Sequence, residues 1–311
     1  NIFKGVLRGS FLHNLVSSKK FMFLSSKTKT MKILYGKIKL SSLILCGFIV
    51  LFACKSSINT NATTPSDSTQ LTKKNKPKVD TISDIDSTKK YIYLTFDDGP
   101  QPGTLDCEKI CKDENVKATF FMVGLHAMSD KSSKQIVKNL QAQEPFFLVA
   151  NHSYTHAFRN HFYKFYEDPN GAFQDFIRCQ DSLQFSNLYA RLPGNDSWSG
   201  GSLHAVAKLT KAVVQKLDTA GYIVVGWDDE WRFKNGKMPI ETPEQMLNQV
   251  EYMLNNNHTK SKNHIVILTH DRMFHNNESQ VKLISFIRGL KQHKDYVFQT
   301  IDKYPFTAKR K

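Results

Sequence analysis

Seven strand-like runs constrain this chain more than any other feature: YIYLTFDD (91–98), KATFFMVG (117–124), FFLVANHS (146–153), LYARLPG (188–194), YIVVGWDD (222–229), HIVILTHD (264–271) and YVFQTID (296–302). Segments of helical length separate them, among them SLHAVAKLTKAVVQKLDTAG (202–221), closed by a C-terminal Gly, and TPEQMLNQVEYMLNNN (242–257). Strands alternating with helices imply a parallel sheet with helices packed on it. Seven such units in one α/β domain fit a distorted seven-stranded (β/α) barrel better than a short open sheet. There is no internal repeat, and with 40% hydrophobic and 12% aromatic residues the chain can bury a sizeable core.

In a parallel α/β barrel the chemistry gathers at the C-terminal ends of the strands. The first run ends in Asp97-Asp98 before a Gly99-Pro100 turn. Adjacent strand residues face opposite sides, and two carboxylates this close repel unless a metal or an Arg sits between them. The third ends in NHSYTH, where His152 and His156 stand four apart, one helical turn, so both imidazoles can reach one ion. The fourth ends in Arg191-Leu192-Pro193-Gly194, the fifth in Trp227-Asp228-Asp229-Glu230-Trp231 and the sixth in Leu268-Thr269-His270-Asp271. One carboxylate with two His is a hydrolytic metal set that leaves positions open for water and substrate. A second carboxylate can then serve as base and a separate His as acid.

The combination TFDDGP, HSYTH, Arg-x-Pro, an acidic residue before Trp, and LTH, in this order and spacing, resembles the polysaccharide deacetylases, the NodB-like carbohydrate esterases. The resemblance covers residues 90 to 303 and includes KATFFMVG. It implies a metal-dependent hydrolase that removes N-acetyl groups from an amino-sugar polysaccharide: peptidoglycan, poly-N-acetylglucosamine or a chitin-like polymer. The implied metal is divalent, zinc with cobalt or nickel as alternatives, held by Asp98, His152 and His156. Asp97 would be the general base, oriented by Arg191, and His270 the general acid. Pro193, Gly194, Asn195, Trp231 and Leu268 are the candidates for substrate and oxyanion contacts. Two motifs depart from the family: Gly194 follows Pro193 with no aromatic residue between, and Glu230 precedes Trp231 with Asp228 three residues before it. A carboxylate near His270 would keep it protonated at neutral pH. In an extended strand end, Asp228 and Glu230 face the same side and Asp229 the other, and Asp228, with the shorter side chain, is the expected partner.

Two further enzyme readings are an O-acetyl esterase of xylan-like polymers and an amidase acting on a small modified sugar; a glycan-binding lipoprotein that has lost turnover is the rival outside the enzyme class. His126, His161, His204, His258, His264 and His275 carry no motif and read as surface or core. Trp198, Trp227 and Trp231 suit a core, with Trp231 also placed to form a sugar-stacking wall. The aromatic stretch 157–176 suits either a glycan groove or a packed loop. Cys107, Cys111 and Cys179 are an odd set, which rules out a complete disulfide framework, and read as packing residues.

The formal charge of +15 looks like a nucleic-acid signal until it is placed along the chain: residues 1–54 carry nine of the 43 Lys and Arg and none of the 28 Asp and Glu. The rest is too dispersed for a nucleic-acid face. Met31 opens MKILYGKIKL, followed by SSLILCGFIVLFA and Cys54, which has the basic, apolar and small-residue regions of a secretory signal. LFAC resembles a bacterial lipobox, with Cys54 as the lipidated first residue of the mature chain; a transmembrane anchor is the alternative. The expected organisation is therefore upstream sequence in 1–30, a signal in 31–54, a Ser/Thr/Asn/Lys-rich tether in 55–85 and a catalytic domain in 86–311. The expected product is a monomeric lipoprotein anchored to a membrane of the bacterial cell envelope. Replacing Cys54 by Ser should leave the exported protein without acyl chains, since a hydroxyl cannot form the thioether, and intact-mass measurement reads this directly.

Overall fold

The computed structural model describes residues 86–306. The signal, lipobox and tether read from residues 1–85 lie outside the described residues.

The principal elements are β1 (Lys90–Gly99), α1 (Thr104–Asp113), β2 (Ala118–Met122), α2 (Lys131–Gln141), β3 (Phe147–Asn151), α3 (Pro169–Leu183), β4 (Tyr189–Ala190), β5 (Trp198–Gly200), β6 (Leu203–Ala205), α4 (Lys211–Thr219), β7 (Ile223–Val224), β8 (Asp229–Glu230), α5 (Pro243–Asn255), β9 (His264–His270), α6 (Asn277–Leu290) and β10 (Tyr296–Phe298). Strands β4, β3, β2, β1 and β9 lie side by side and parallel. The segment from Ile223 to Glu230 pairs with β4 at one end, through β7, and with β9 at the other, through β8. It brings the curled sheet round on itself, as the expected distorted barrel requires. The sheet is mixed, because β5 runs antiparallel to both β6 and β7. β10 pairs with the first residues of β1.

Alternation along β1 divides the core into two layers. Ile92, Leu94 and Phe96 point outward into a cluster shared with α1, α2, α5 and α6. Tyr91 and Tyr93 point inward with Phe121, Leu148, Val225 and Val266, filling the concave side. Cys107, Cys111 and Cys179 are buried and unbridged, as packing residues would be. A third cluster between α3 and α4 takes up Phe165, Tyr166 and Phe176, with Phe158 and Phe162 packed against it, so most of the aromatic stretch 157–176 is core.

The 202–221 segment differs from its expected single helix. Only Lys211–Thr219 is α-helical, preceded by a 3-10 turn at Lys208–Thr210; Leu203–Ala205 instead forms a hairpin with Trp198–Gly200. The reason is Gly201, whose φ of +54° supplies the reversal that an L side chain resists. The 242–257 segment is helical as its pattern predicts, and begins with a capping box in which Thr242 and Gln245 exchange hydrogen bonds.

Candidate functional site

The two carboxylates of β1 meet because the strand breaks its own alternation. Asp97 continues the inward series of Tyr91, Tyr93 and Thr95, so Asp98 should face outward with Phe96. A bulge intervenes: Asp97 pairs with Phe121 and Gly99 with Met122, leaving Asp98 unmatched with φ +75°. That turn swings Asp98 back to the inner side. His152 Nε2 then lies 3.6 Å from Asp97 Oδ2 and 3.5 Å from Asp98 Oδ1. Gly99 is needed directly after the bulge, because a Cβ there would fall 2.7 Å from both Asp271 Oδ2 and Met122 Sδ.

Asp98, His152 and His156 form, among the described residues, the His/Asp group able to hold a metal ion, with all ligand atoms within 4.8 Å of one another. His152 Nδ1 lies 3.0 Å from the Arg191 carbonyl and His156 Nδ1 lies 2.5 Å from Asn160 Oδ1. A carbonyl oxygen only accepts, so Nδ1 carries the proton in each neutral ring, and both Nε2 lone pairs turn inward. His156 Nε2 is 2.9 Å from Asp98 Oδ1, itself buried without a hydrogen-bond partner. Three electron-rich atoms converging on one point fit a divalent cation. Burial opposes charge on Asp98, but His152 and His156 outweigh it and hold its carboxyl well below the usual range. Burial opposes charge on His156 too, yet Asp98 raises its imidazole.

The loop carrying these imidazoles is fixed from α3, where Asp175 Oδ1 accepts from Tyr154 N and Thr155 N, both at 2.9 Å. His156 does not open an ordinary helix as its spacing predicts. Residues His156, Ala157, Phe158, Arg159 and Asn160 all have φ between +50° and +69°, a left-handed turn. Such a run is costly for L residues, on the order of 1–2 kcal/mol each. Packing of Phe158 against the third core cluster and the Thr155 cap on Phe158 N hold it.

Arg191, at the end of β4, is fully buried and spans the cavity. Its Nη1 donates to Asp97 Oδ1 at 2.8 Å and to Thr95 Oγ1 at 2.6 Å. Its Nε and Nη2 donate to the Val225 and Gly226 carbonyls. The guanidinium also lies 4.2 Å from the Phe121 ring centroid. Asp97 is thus held at one oxygen, and its other turns toward His152 and the cleft. His270 stands opposite Asp97 in the β1–β9 register, with Nε2 4.0 Å from Asp98 Oδ2. Burial pushes its imidazole below the ordinary value, Asp98 and Asp97 opposing.

The cleft over these groups, about 480 Å³, is also lined by Phe162, Gly194, Trp227, Glu230, Leu268 and Arg272. Leu268 and Gly194 thus sit where the sequence puts them. Asn195 does not serve as an oxyanion donor: its N–H donates to the Leu192 carbonyl, and its side chain accepts from Ser197 and Thr210. Pro193 has no N–H, and its carbonyl accepts from Tyr166 Oη at 2.6 Å. Gly194 is left as the third-motif residue at the cleft, and its φ of +65° and contact with Phe162 admit no larger side chain.

Two expectations at the fourth motif are corrected. Asp228 does not partner His270: its carboxylate accepts from Lys260 N at 2.6 Å and Val266 N at 2.8 Å, tying the strand edge, while His270 Nδ1 is buried with no hydrogen-bond partner. Strand pairing claims that carboxylate because Asp228 falls beside the β9 backbone. Glu230 lines the cleft with His270, and burial followed by Asp97 raises its carboxyl. Asp229 turns to Gln249 of α5, away from the cleft as expected, and burial lifts its pKa to about 6. Trp231 is not a sugar wall: it is fully buried against Phe274 and Phe286, with Nε1 donating to the Glu241 carbonyl. The indole at the cleft is Trp227.

Two site residues carried no motif. His126 Nδ1 donates to the Asp98 carbonyl at 2.6 Å, supporting the bulge. Arg272 Nη2 donates to Asp98 Oδ2 at 2.6 Å, its guanidinium 4.8 Å from the Phe233 centroid. Its position two residues after His270 was the available signal.

A family model described as polysaccharide deacetylase matches residues 84–184. Among curated proteins the chain is similar to a chitin disaccharide deacetylase from Vibrio alginolyticus, 26% identical over 70% of this chain and 72% of the relative. It is also similar to a peptidoglycan-N-acetylglucosamine deacetylase from Bacillus cereus, 29% identical over 68% of this chain and 69% of the relative. The crystal structure of a polysaccharide deacetylase from Bacillus cereus matches with a TM-score of 0.50 at 25% identity, covering 68% of this chain and 92% of that one. The chain is thus similar to polysaccharide deacetylases in sequence, and its curled sheet is that structure's fold.

The corrected placements are testable. Asp228→Asn replaces an acceptor of two backbone N–H groups, so thermal unfolding should show a loss of roughly 1–3 kcal/mol. The basic limb of the pH–activity profile should not move. Trp231→Ala should cost about 3–5 kcal/mol of stability, whereas Trp227→Ala should act chiefly on kcat/KM.

Proposed function

We propose that this protein is a metal-dependent hydrolase that removes N-acetyl groups from an amino-sugar polysaccharide, with zinc as the native metal. The observation that carries this reading is the convergence of Asp98, His152 and His156 beside an Asp97 clamped by Arg191, with His270 across the same cleft.

The acyl carbonyl of an amide is a poor electrophile; when bound, a divalent cation would polarise it and lower the pKa of a water in its coordination sphere. Asp97 then receives the water's proton at Oδ2, because Arg191 occupies Oδ1 and fixes the carboxyl plane. The Gly194 N–H is the candidate to stabilise negative charge developing on the carbonyl oxygen. The departing amine is strongly basic and must be protonated as it leaves, which His270 does from Nε2, the nitrogen nearest Asp98. Trp227 and Leu268 exclude water from one side and offer an apolar face to a sugar ring. With Asp228 engaged in the sheet, the carboxylates that favour a protonated His270 against its burial are Asp98 and Asp97.

The N-terminal sequence adds a location to this reading. A lipid at Cys54 would hold the domain at a membrane of the bacterial envelope on the tether 55–85, within reach of an envelope glycan.

Acetate release from N-acetylated and from O-acetylated oligosaccharides of matched length separates the amidase from the ester hydrolase. We expect release from the N-acetylated oligomers, abolished by exhaustive chelation and restored by zinc or cobalt; release that survives metal removal would refute the scheme. Asp97→Asn should lower kcat by roughly a hundredfold to ten-thousandfold while metal content, read by elemental analysis, stays unchanged. Loss of the metal in that variant would exchange the roles of Asp97 and Asp98.

A further inference from the structure

The Asp98 carboxylate is divided between two environments. Oδ1 faces the imidazoles, 2.9 Å from His156 Nε2 and 3.5 Å from His152 Nε2, and is buried with no hydrogen-bond partner. Oδ2 faces the other way: Arg272 Nη2 donates to it at 2.6 Å, and His270 Nε2 stands 4.0 Å off. The side chain therefore offers one oxygen to an ion at the Asp98, His152 and His156 set, and a guanidinium withholds the second.

Arg272 reaches that oxygen from a fixed base. It belongs to a 3-10 turn, Asp271–Phe274, in which Asp271, Met273 and Phe274 are buried and Arg272 alone is half-buried. Asp271 ties the turn to α1 by accepting from the Thr104 hydroxyl. The guanidinium lies 4.8 Å from the Phe233 ring centroid, and its Nε is buried with no hydrogen-bond partner. One ring and one carboxylate oxygen thus hold it. It stands where the cleft over the site meets a second one of about 370 Å³, bordered by Arg159 and Thr155. The Arg272 side chain is 32% exposed there, so shortening it empties little packed space.

Support for Asp98 does not call for a cation. The His126 bond to the Asp98 carbonyl and the contacts around Gly99 already hold the bulge, and a neutral amide would orient Oδ2 as well. A guanidinium does more: it draws electron density from the carboxylate, cancels its charge and repels a dication nearby. Arg191 cancels Asp97 in the same way. Two imidazoles with a compensated carboxylate hold a cation less tightly than two imidazoles with a free one, and leave more of its charge for an oxygen of the substrate.

We propose that Arg272 is a positioning residue that acts through Asp98: it reserves Oδ1 as the single ligand atom of that carboxylate, and it weakens the hold on the metal while strengthening the pull on a substrate oxygen. This rests on the metal-dependent reading above and adds to it a residue outside every motif of the resemblance.

The direction of the change in metal affinity tests this. A partner that only orients a ligand costs about tenfold to a hundredfold in affinity when it is removed. Arg272→Gln should instead tighten zinc binding about tenfold, measured by chelator competition on the full-length chain with no glycan present. At saturating zinc its kcat for acetate release should fall about tenfold. Arg272→Lys, which keeps the charge, should stay within about threefold of the parent in both measurements. Visible absorption of a cobalt-loaded site weakens as the coordination number rises, so the cobalt form of Arg272→Gln should absorb less, with Asp98 free to engage through both oxygens. A misfolded variant cannot bind zinc more tightly. If Arg272→Gln does not fold, Phe233→Leu, which removes the ring beside the guanidinium, should tighten zinc about threefold. Equal or weaker zinc binding in Arg272→Gln, or in Phe233→Leu where it stands in, would overturn the role of Arg272 and leave the hydrolytic reading standing. If zinc binds but no glycan releases acetate, the hydrolytic reading fails and the affinity comparison still decides the role of Arg272; a parent chain that binds no zinc overturns both.

Discussion

The site depends on a single bulge. A regular strand presents Asp97 and Asp98 to opposite faces, one to the interior and one to the helices, where a buried carboxylate would be out of place among Phe96, Phe120 and Phe274. The φ of +75° at Asp98 converts that conflict into a pair of carboxylates on one wall. Three features fix it: the His126 bond to the Asp98 carbonyl, the absence of a side chain at Gly99, and the Arg272 Nη2 donation to Asp98 Oδ2. Removing the bulge would take the Asp98 ligand out of the site and return β1 to an ordinary strand.

Arg191 performs the complementary task from the end of β4, on the same inner side of the sheet. It donates to β1 at Thr95 and Asp97 and to the carbonyls of Val225 and Gly226, which lie between β7 and β8 where the chain crosses from β4 toward β9. The same guanidinium that orients Asp97, the proposed base, therefore also fastens the segment that brings the curled sheet round. A buried pair of this kind is weak evidence for stability, since desolvation offsets most of its attraction, but breaking it strands a charge at a cost of roughly 3–5 kcal/mol. Fold closure and base orientation thus share one residue.

Much of this was legible in the sequence because strands and metal ligands leave local patterns. The strand runs, the helix at 242–257 and a set of one carboxylate with His152 and His156 follow from spacing and residue type, the choice of Asp98 came with the family resemblance, and β1 shows its alternation directly. What was hidden depended on contacts distant in sequence. The hairpin at Trp198–Ala205 replaces a helical pattern because Gly201 takes a positive φ and β5 finds a partner in β7. Asp228 looked free for His270 because nothing local shows that the Lys260 and Val266 amides would claim it. Trp231 looked like a surface platform until α5 and α6 covered it. Arg159 and Arg272 belong to no pattern, and only the left-handed turn and the end of β9 bring them to one cleft.

The charge balance of the groove explains why cations without motifs gather there. Asp97 is matched by Arg191 and Asp98 by Arg272, so the two carboxylates are neutralised before any metal is considered. A divalent cation held by the Asp98, His152 and His156 set would leave the groove positive, the sign that stabilises negative charge developing on an acyl oxygen in the proposed hydrolysis.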